Sequence, residues 1–179
     1  MRKWLFIIFF TVFVVTIGTI YYLDFQTQAT AVADDYGTTT MTIGTNTLYY
    51  DNIGRDNMKA QNYINNDPQH HVATWGGKPI QDNFDGHNTH FIGHNPGVFH
   101  ILKAVQIGDK ITVKDDYNTA EIYRVAKIFI VNDEGYMVDD HRQNRLQEMI
   151  GIGTKEQITL QTCLSETTNL VVIAYPFQS

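Results

Sequence analysis

The chain has 179 residues, enough for one domain and a terminal segment, and carries 13 Lys and Arg against 19 Asp and Glu. Without Arg2 and Lys3, 11 basic residues face 19 acidic ones, a formal charge of −8, and no basic cluster stands out. This balance disfavours nucleic acid and anionic membrane surfaces as partners. A single cysteine, Cys163, excludes a disulfide scaffold, and a domain of this size builds its core without one.

The first predicted element is an uncharged run rich in Phe, Ile and Val at residues 4–23. A helix of this length spans a bilayer. Arg2 and Lys3 precede the run and Asp24 follows it, so we expect residues 1–3 in the cytoplasm and the rest of the chain outside. The sequence therefore predicts a single-pass protein of the cell membrane.

A cleaved signal peptide is the alternative for this segment, because Ala31-Val-Ala33 resembles a small-residue cleavage site. The apolar run is longer than an ordinary signal core and ends well before that site, which favours an uncleaved anchor. Residues 24–39 are polar and small and are predicted to be a linker, which leaves residues 40–179 as the extracellular domain.

Short runs with strand character occupy most of that domain, separated by turns rich in Gly, Asp, Asn and Pro. Together they predict an all-β fold of about eight strands with minor helices, a barrel or a sandwich. The helix candidates are residues 58–64, 98–105 and 139–150, the last capped by Asp139 or Asp140. The strand candidates are residues 39–43, 47–50, 71–75, a strand ending before His94, and residues 111–114, 121–131, 157–164 and 170–175.

Cys163 ends the strand candidate at residues 157–164. Alternation places Ile158, Leu160 and Thr162 on the face predicted to enter the core. Cys163 falls on the opposite, polar face at the strand end, which suits a reactive thiol better than a packing residue. A buried, inert thiol is the alternative, since free cysteine is among the most buried residue types.

Four histidines lie close together in the chain: His87, His90, His94 and His100. Imidazole is a common zinc ligand, so a metal site is the first hypothesis to test. On a strand, however, His87 points away from His90 and His94, and no glutamate completes a helical zinc motif. We therefore expect no metal here and interpret His87 and His100 as solvated loop residues.

His94 differs because it follows Gly93 at the carboxyl end of a strand with an apolar interior. Cys163 also lies at the carboxyl end of its strand. If the two strands are parallel neighbours, both side chains emerge at the same rim of the sheet. A histidine there stabilises a thiolate and donates a proton to a leaving amine.

Two motifs carry a family resemblance. Thr159-Leu-Gln-Thr-Cys163 matches the TLxTC nucleophile strand of sortases, and Phe91-Ile-Gly-His94 matches that family's strand ending in Gly-His. The segment after His94, through Thr112, resembles the family's short helix and following strand. Over residues 40–179 the chain thus resembles the sortases, membrane-anchored cysteine transpeptidases of Gram-positive cell surfaces, although the match before His87 is loose.

The resemblance implies an eight-stranded sortase-like barrel in which Cys163 is the nucleophile and His94 the acid–base partner. The family's third catalytic residue is an arginine at the start of the last strand, and Asn169 holds that position here. An asparagine amide offers only a neutral hydrogen bond to an oxyanion, without the charge or the fork of arginine. Arg142 and Arg145 are candidates to replace it.

The resemblance also makes Thr162 and Asn95, which adjoin the pair in the chain, the candidate substrate-binding residues. It implies no cofactor. Some family members bind calcium through acidic loops, but we expect the acidic loop residues here to be solvated. Those acidic residues are Asp82, Asp85, Asp133 and Glu134.

The leading hypothesis from the sequence is a transpeptidase that cleaves an LPxTG-type sorting signal through a thioester and transfers the protein to an amine of a cell-wall precursor. The second hypothesis is a sortase-fold surface protein that binds sorting peptides or wall components with little catalysis, and Asn169 favours it. A hydrolase of papain or NlpC type is disfavoured, since that order places cysteine before histidine.

Overall fold

The computed structural model describes residues 39–55 and 57–177. The predicted anchor at residues 4–23 and nearly all of the predicted linker at residues 24–39 lie outside the described residues. Within the described part of the chain, no helix has both the length and the apolar character needed to span a membrane.

Eight strands form a closed barrel in the order β1-β2-β3-β4-β7-β8-β6-β5, as the prediction of an eight-stranded all-β fold required. Helical structure in the described residues is short: α1 Asn57–Asn66, a 3-10 helix Val98–Ala104 and α2 Leu146–Ile150. The strands are β1 Thr40–Ile43, β2 Asn46–Asp51, β3 Val72–Gly77, β4 Asn88–Gly93, β5 Lys110–Lys114, β6 Ala120–Asn132, β7 Gln157–Cys163 and β8 Thr168–Pro176.

The barrel core explains why these runs are strands. Phe91 of β4 pairs with Leu160 of β7, which pairs with Val172 of β8, and all three side chains are fully buried. Alternate residues of each strand point inward in this way. Truncating one such residue, for example Leu160→Ala, costs about 2–5 kcal/mol, so the strands that lead to the candidate site rest on a tightly packed base.

β4, β7 and β8 lie side by side in the barrel. β4 and β7 are parallel, from Asn88 opposite Gln157 to Ile92 opposite Gln161. β7 and β8 are antiparallel, and their last pair is Cys163 opposite Asn169. The carboxyl ends of β4 and β7 therefore meet the amino end of β8 at one rim.

The strand candidate at residues 71–75 is longer than expected, because β3 continues through Gly76 and Gly77. Gly77 has φ of +68°, and a Cβ there would lie 2.1 Å from the carbonyl oxygen of Asn88. Glycine thus allows β3 and the start of β4 to approach, where the sequence predicted a break.

The helix predicted over residues 139–150 is wrong except for its last turn, α2. Asp140 does not cap a helix: its carboxylate accepts hydrogen bonds from the side chains of Arg142 and Gln143 in a turn. The N-cap position of α2 is Arg145, without a side-chain cap, and Asn144 Oδ1 in the preceding turn accepts the backbone N–H of Leu146 at 2.9 Å. Asp and Asn side chains stabilise turns in competition with helix, which accounts for the difference.

Candidate active site

His94 and Cys163 leave β4 and β7 at the same end of the parallel pair. The register runs to Ile92 opposite Gln161, and each of the two residues follows two positions later. Two hydrogen bonds join the strand ends: Thr162 Oγ1 donates to the Gly93 carbonyl at 2.8 Å, and Asn95 Nδ2 donates to the Cys163 carbonyl at 2.9 Å. The parallel arrangement expected from the sequence is therefore present.

A groove of about 270 Å³ opens at this rim. Ile64 of α1, Trp75 of β3 and Ile92 of β4 supply apolar walls. The remaining lining residues are mostly polar: Gln61, Gly93, His94, Asp133, Gln161, Thr162, Cys163 and Asn169. The sequence-predicted residues Cys163, His94, Asn169 and Thr162 are thus brought to one concave surface.

Cys163 is exposed and forms no disulfide, so it is not a packed core thiol. Its sulfur is partly withdrawn from water, and this burial, with the negative charge of Asp133 as the smaller cause, raises the pKa of the Cys163 thiol above its ordinary value. The resting thiol is therefore protonated at neutral pH. Thiolate formation requires a base at the site.

His94 is held by α1. Its Nε2 lies 2.7 Å from Oδ1 of Asn65, and the same oxygen accepts a hydrogen bond from Gln61 at 3.0 Å. Since Oδ1 only accepts, the hydrogen-bond network assigns a proton to His94 Nε2. In the neutral ring this leaves Nδ1 as the basic nitrogen.

Asn169 is buried at the start of β8, directly across from Cys163. Its Nδ2 donates to Oδ1 of Asp133 at 2.9 Å, and Asp133 lies in the turn that follows β6. One of the two amide hydrogens is therefore occupied by a carboxylate. The position at which the family resemblance predicts an arginine thus carries a neutral amide paired with an anion.

Neither candidate replacement for the arginine reaches the groove. Arg142 pairs with Asp140 in the turn before α2, and Arg145, the residue before α2, pairs with Glu148 of that helix at 3.1 Å. No arginine or lysine among residues 39–55 and 57–177 lines the groove. The prediction that they might substitute has no support in the geometry.

The predicted substrate-binding residues are both occupied within the protein. Thr162 is almost fully buried, and its hydroxyl is used by the Gly93 carbonyl. Asn95 bridges the Cys163 carbonyl to His100 Nδ1, which lies 2.9 Å from Asn95 Oδ1. Their visible effect is to fix the ends of β4 and β7.

The space beside Gly93, the residue before His94, is filled by the 3-10 helix. A Cβ on Gly93 would lie 2.8 Å from Cγ of Phe99 and 3.0 Å from Cγ1 of Val98. Glycine here lets that helix pack against the end of β4. It thereby fixes the segment that begins with His94.

The four histidines have separate hydrogen-bond partners. His87 contacts the Gly153 carbonyl, His90 contacts Gln161, His94 contacts Asn65 and His100 contacts Asn95. Among the described residues no group of three His, Cys, Asp or Glu is placed to hold a metal ion.

The acidic loop residues are also separated. Asp82 and Asp85 precede β4. After burial as the main cause, their negative charges help to raise the pKa of Glu156, which lies just before β7. They therefore lie at the opposite end of this strand pair from Cys163. Asp133 alone of the four lines the groove.

Sequence reasoning missed Asn65, the groove role of Asp133, and the contact between His90 and Gln161. Asn65 lies on α1, far from His94 in the chain, and no local pattern marks it. Asp133 was noted only as a possible calcium ligand. The one available signal was the polar Gln161 inside the TLxTC segment.

A sortase-domain family model matches residues 48–177. Comparison with curated proteins finds no match. Solved structures share the fold: a Clostridium perfringens sortase D5 transpeptidase is 13% identical with a TM-score of 0.56, over 86% of this chain and 89% of that one. Sortase A from Corynebacterium diphtheriae, a lid mutant, is 20% identical with a TM-score of 0.55, over 79% and 70%.

A third similar structure is sortase E1 from Streptomyces coelicolor with a tripeptide in the active site, 16% identical with a TM-score of 0.54, over 80% of this chain and 89% of that one. These likenesses show that the barrel has the sortase fold. Because the family model covers most of the sequence, the chain belongs to the sortase family, and the resemblance drawn from the two motifs is confirmed.

Proposed function

We propose that this chain is a cysteine transpeptidase that cleaves an LPxTG-type sorting signal and joins the released protein to an amine of a cell-wall precursor. The observation that carries the proposal is the placement of Cys163 and His94 at the ends of the parallel strands β4 and β7, on one groove. A thiol with a raised pKa needs a base beside it, and His94 is the titratable base that lines the same groove.

In the first half-reaction His94 Nδ1 takes the thiol proton, and the Cys163 sulfur attacks the Thr carbonyl of the Thr–Gly bond. The C–S bond forms and the carbonyl oxygen becomes an oxyanion. As the C–N bond breaks, His94 returns the proton to the departing glycine amine, which leaves a thioester on Cys163.

In the second half-reaction the amine of the wall precursor attacks the thioester carbonyl. His94 accepts the proton of that amine, the C–S bond breaks, and the sulfur is reprotonated. The result is a new amide bond and a regenerated enzyme. Splitting one amide exchange into two acyl transfers avoids a single difficult step.

Asn169 is the proposed oxyanion donor. An amide nitrogen carries two hydrogens, and Asp133 uses one, so the second is free to face the substrate oxygen. Such a neutral hydrogen bond is weaker than one from a charged donor, and the carboxylate of Asp133 opposes the negative charge that develops on the carbonyl oxygen. We therefore expect slow acylation.

The predicted anchor at residues 4–23 complements this chemistry. A tether would hold the groove beside sorting signals that emerge from the membrane and beside lipid-linked precursors, which raises their effective concentration. We propose a single-pass protein of the cell membrane with the barrel outside the cell.

A second candidate function is a sortase-fold protein that binds sorting peptides without turning them over. One observation favours it specifically: the position opposite Cys163 holds an amide bound to Asp133, and no cation among the described residues lines the groove.

The deciding experiment incubates the full chain, purified in detergent, with labelled LPxTG-type peptides. The transpeptidase predicts a peptide adduct of the mass of a thioester that is absent in Cys163→Ala and released by an added amine as a new amide product. Cys163→Ala should still bind the peptide, which makes it the matched control. Peptide binding with no adduct at any pH from 6 to 9 would establish the binding protein instead.

A further inference from the structure

A buried polar pair lies beneath the groove. His90 of β4 is fully buried, and its Nε2 is 2.9 Å from Oε1 of Gln161, a half-buried residue of β7 that lines the groove. Trp75 packs edge-on against the His90 ring at 5.5 Å and covers it. Burying a polar ring costs free energy unless its polar atoms are hydrogen-bonded, and here only Nε2 has a partner among the described residues.

The orientation of the pair follows from the protons. Burial lowers the pKa of His90 to about 4, so the ring is neutral and has one N–H. Nδ1 has no hydrogen-bond partner among the described residues. Placing the proton on Nε2 leaves a bare lone pair at Nδ1, whereas the other tautomer would bury an unpaired N–H, and orphaned N–H groups are the rarer of the two in proteins.

His90 Nε2–H therefore donates to Gln161 Oε1, which turns the amide nitrogen of Gln161 the other way. That nitrogen has two donor hydrogens, and none of the described hydrogen bonds uses them. Because Gln161 lines the groove opposite Ile92 of the neighbouring strand, the groove floor offers this pair of donors beside an apolar side chain.

The distance from the chemistry sets what these donors meet. Gln161 precedes Cys163 by two residues on the same face of β7, about 6.6 Å along the strand. An extended peptide has nearly the same rise, so its side chain about two residues from the attacked carbonyl lies over Gln161.

We propose that Gln161, oriented by His90, determines specificity by binding a neutral hydrogen-bond acceptor, a carboxamide or hydroxyl side chain, on the residue just before the threonine whose carbonyl is attacked. In an LPxTG-type signal the residues within reach are this variable one and the proline before it, and only the variable residue carries such a side chain. This inference rests on the proposed peptide-processing function. His90 is a positioning residue, since it acts only through Gln161. A neutral acceptor is favoured over a carboxylate because Asp133 already places negative charge on the groove.

The test uses the full chain and a set of sorting peptides in which one position at a time, within three residues on the amino side of the attacked carbonyl, carries Gln or Leu. The readout is the ratio of kcat/KM for the Gln and Leu peptides. A ratio measured on one enzyme preparation cancels any loss of folded protein. The same ratio is measured as peptide affinity with Cys163→Ala by fluorescence anisotropy, which needs no turnover.

We expect the Gln peptide to be favoured about 2- to 12-fold at one position, the range that one net hydrogen bond provides. Gln161→Leu should abolish the preference. His90→Leu should weaken it, and His90→Gln, which restores a donor where Nε2 lies, should retain it. A thermal melt of each variant confirms folding.

A preference that is absent at every position, or that survives Gln161→Leu, overturns the inference while peptide turnover or binding leaves the proposed function standing. If no peptide is bound or processed by any variant, the proposed function fails and this inference fails with it.

Discussion

The sharpest prediction concerns Asn169→Arg. Asn169 lies across from Cys163, and as the proposed oxyanion donor it would offer one neutral hydrogen bond. A neutral hydrogen bond contributes about 0.5–1.5 kcal/mol net and one to a charged group about 1.5–3 kcal/mol. Replacing the amide by a guanidinium should therefore lower the acylation barrier by about 1–1.5 kcal/mol, which corresponds to a gain of about 5- to 13-fold in kcat/KM.

The gain in rate depends on the position of the new guanidinium, because Asp133 Oδ1 lies 2.9 Å from Nδ2 of the asparagine that the arginine replaces. An ion pair with Asp133 would hold the new side chain partly away from the substrate. The combination of Asn169→Arg with Asp133→Asn keeps a neutral acceptor there and should show the larger gain. Asn169→Gln, which lengthens the amide without adding charge, is the matched control and should show no gain.

The assay is the single-turnover rate of peptide adduct formation, normalised to the Cys163 thiol titrated by alkylation. Thermal melts of each variant show whether the larger side chain is accommodated at a buried position. If Asn169→Arg acylates no faster, or more slowly, while folding and peptide affinity are unchanged, then the amide and Asp133 form a different working arrangement and the reasoning about oxyanion charge is refuted.

Three further predictions follow from single contacts. Asp133→Asn keeps an acceptor for the amide of Asn169 and removes a negative charge. That charge is the smaller cause, beside burial, of the raised pKa of the Cys163 thiol, so the pH midpoint of Cys163 alkylation should move to lower pH. Asn65→Ala removes the hydrogen bond that orients His94 and should lower kcat about 2- to 12-fold with KM nearly unchanged. Gly93→Ala drives a methyl group into the 3-10 helix and should destabilise the fold by about 1–3 kcal/mol, a fall in Tm of several degrees in a thermal melt.

Each of these has an outcome that contradicts it. An alkylation midpoint that stays in place or rises in Asp133→Asn would show that the carboxylate does not act on the thiol. Asn66→Ala, a substitution of the same type at the next residue of α1, is the control for Asn65→Ala, and an equal fall in kcat in both would point to the helix rather than to the histidine bond. An unchanged Tm in Gly93→Ala would mean that the 3-10 helix moves freely.

The strands of the barrel were predictable because the residues that enter the barrel core recur with a period of two, although β4 and β7 are largely buried on both faces. Ile158, Leu160 and Thr162 enter the core as that alternation requires, and Cys163 falls on the exposed face. The meeting of Cys163 and His94 needed one further assumption, that β4 and β7 are parallel neighbours, which the register of the two strands bears out.

The remaining residues of the site could not be predicted from the sequence, and the reason is physical. Asn65 and Asp133 reach the groove through tertiary contacts to residues far away in the chain. Asn65 is separated from His94 by 29 positions, and Asp133 from Asn169 by 36 positions. No local period or spacing encodes such pairs. The helix prediction over residues 139–150 failed for the opposite reason. Asp140 and Asn144 form local side-chain hydrogen bonds that compete with helix formation.

The pairing of Asn169 with Asp133 changes the electrostatics of the whole groove. Where a sortase arginine would favour both thiolate and oxyanion, this groove has one carboxylate and no cation among the described lining residues. In the proposed mechanism, negative charge then costs more at each step of acylation, and His94 would supply the compensating positive charge when it takes the thiol proton. Substitutions of Asn169 and Asp133 should therefore act together. The non-additivity of their effects on the acylation rate measures how much of the slow acylation is electrostatic.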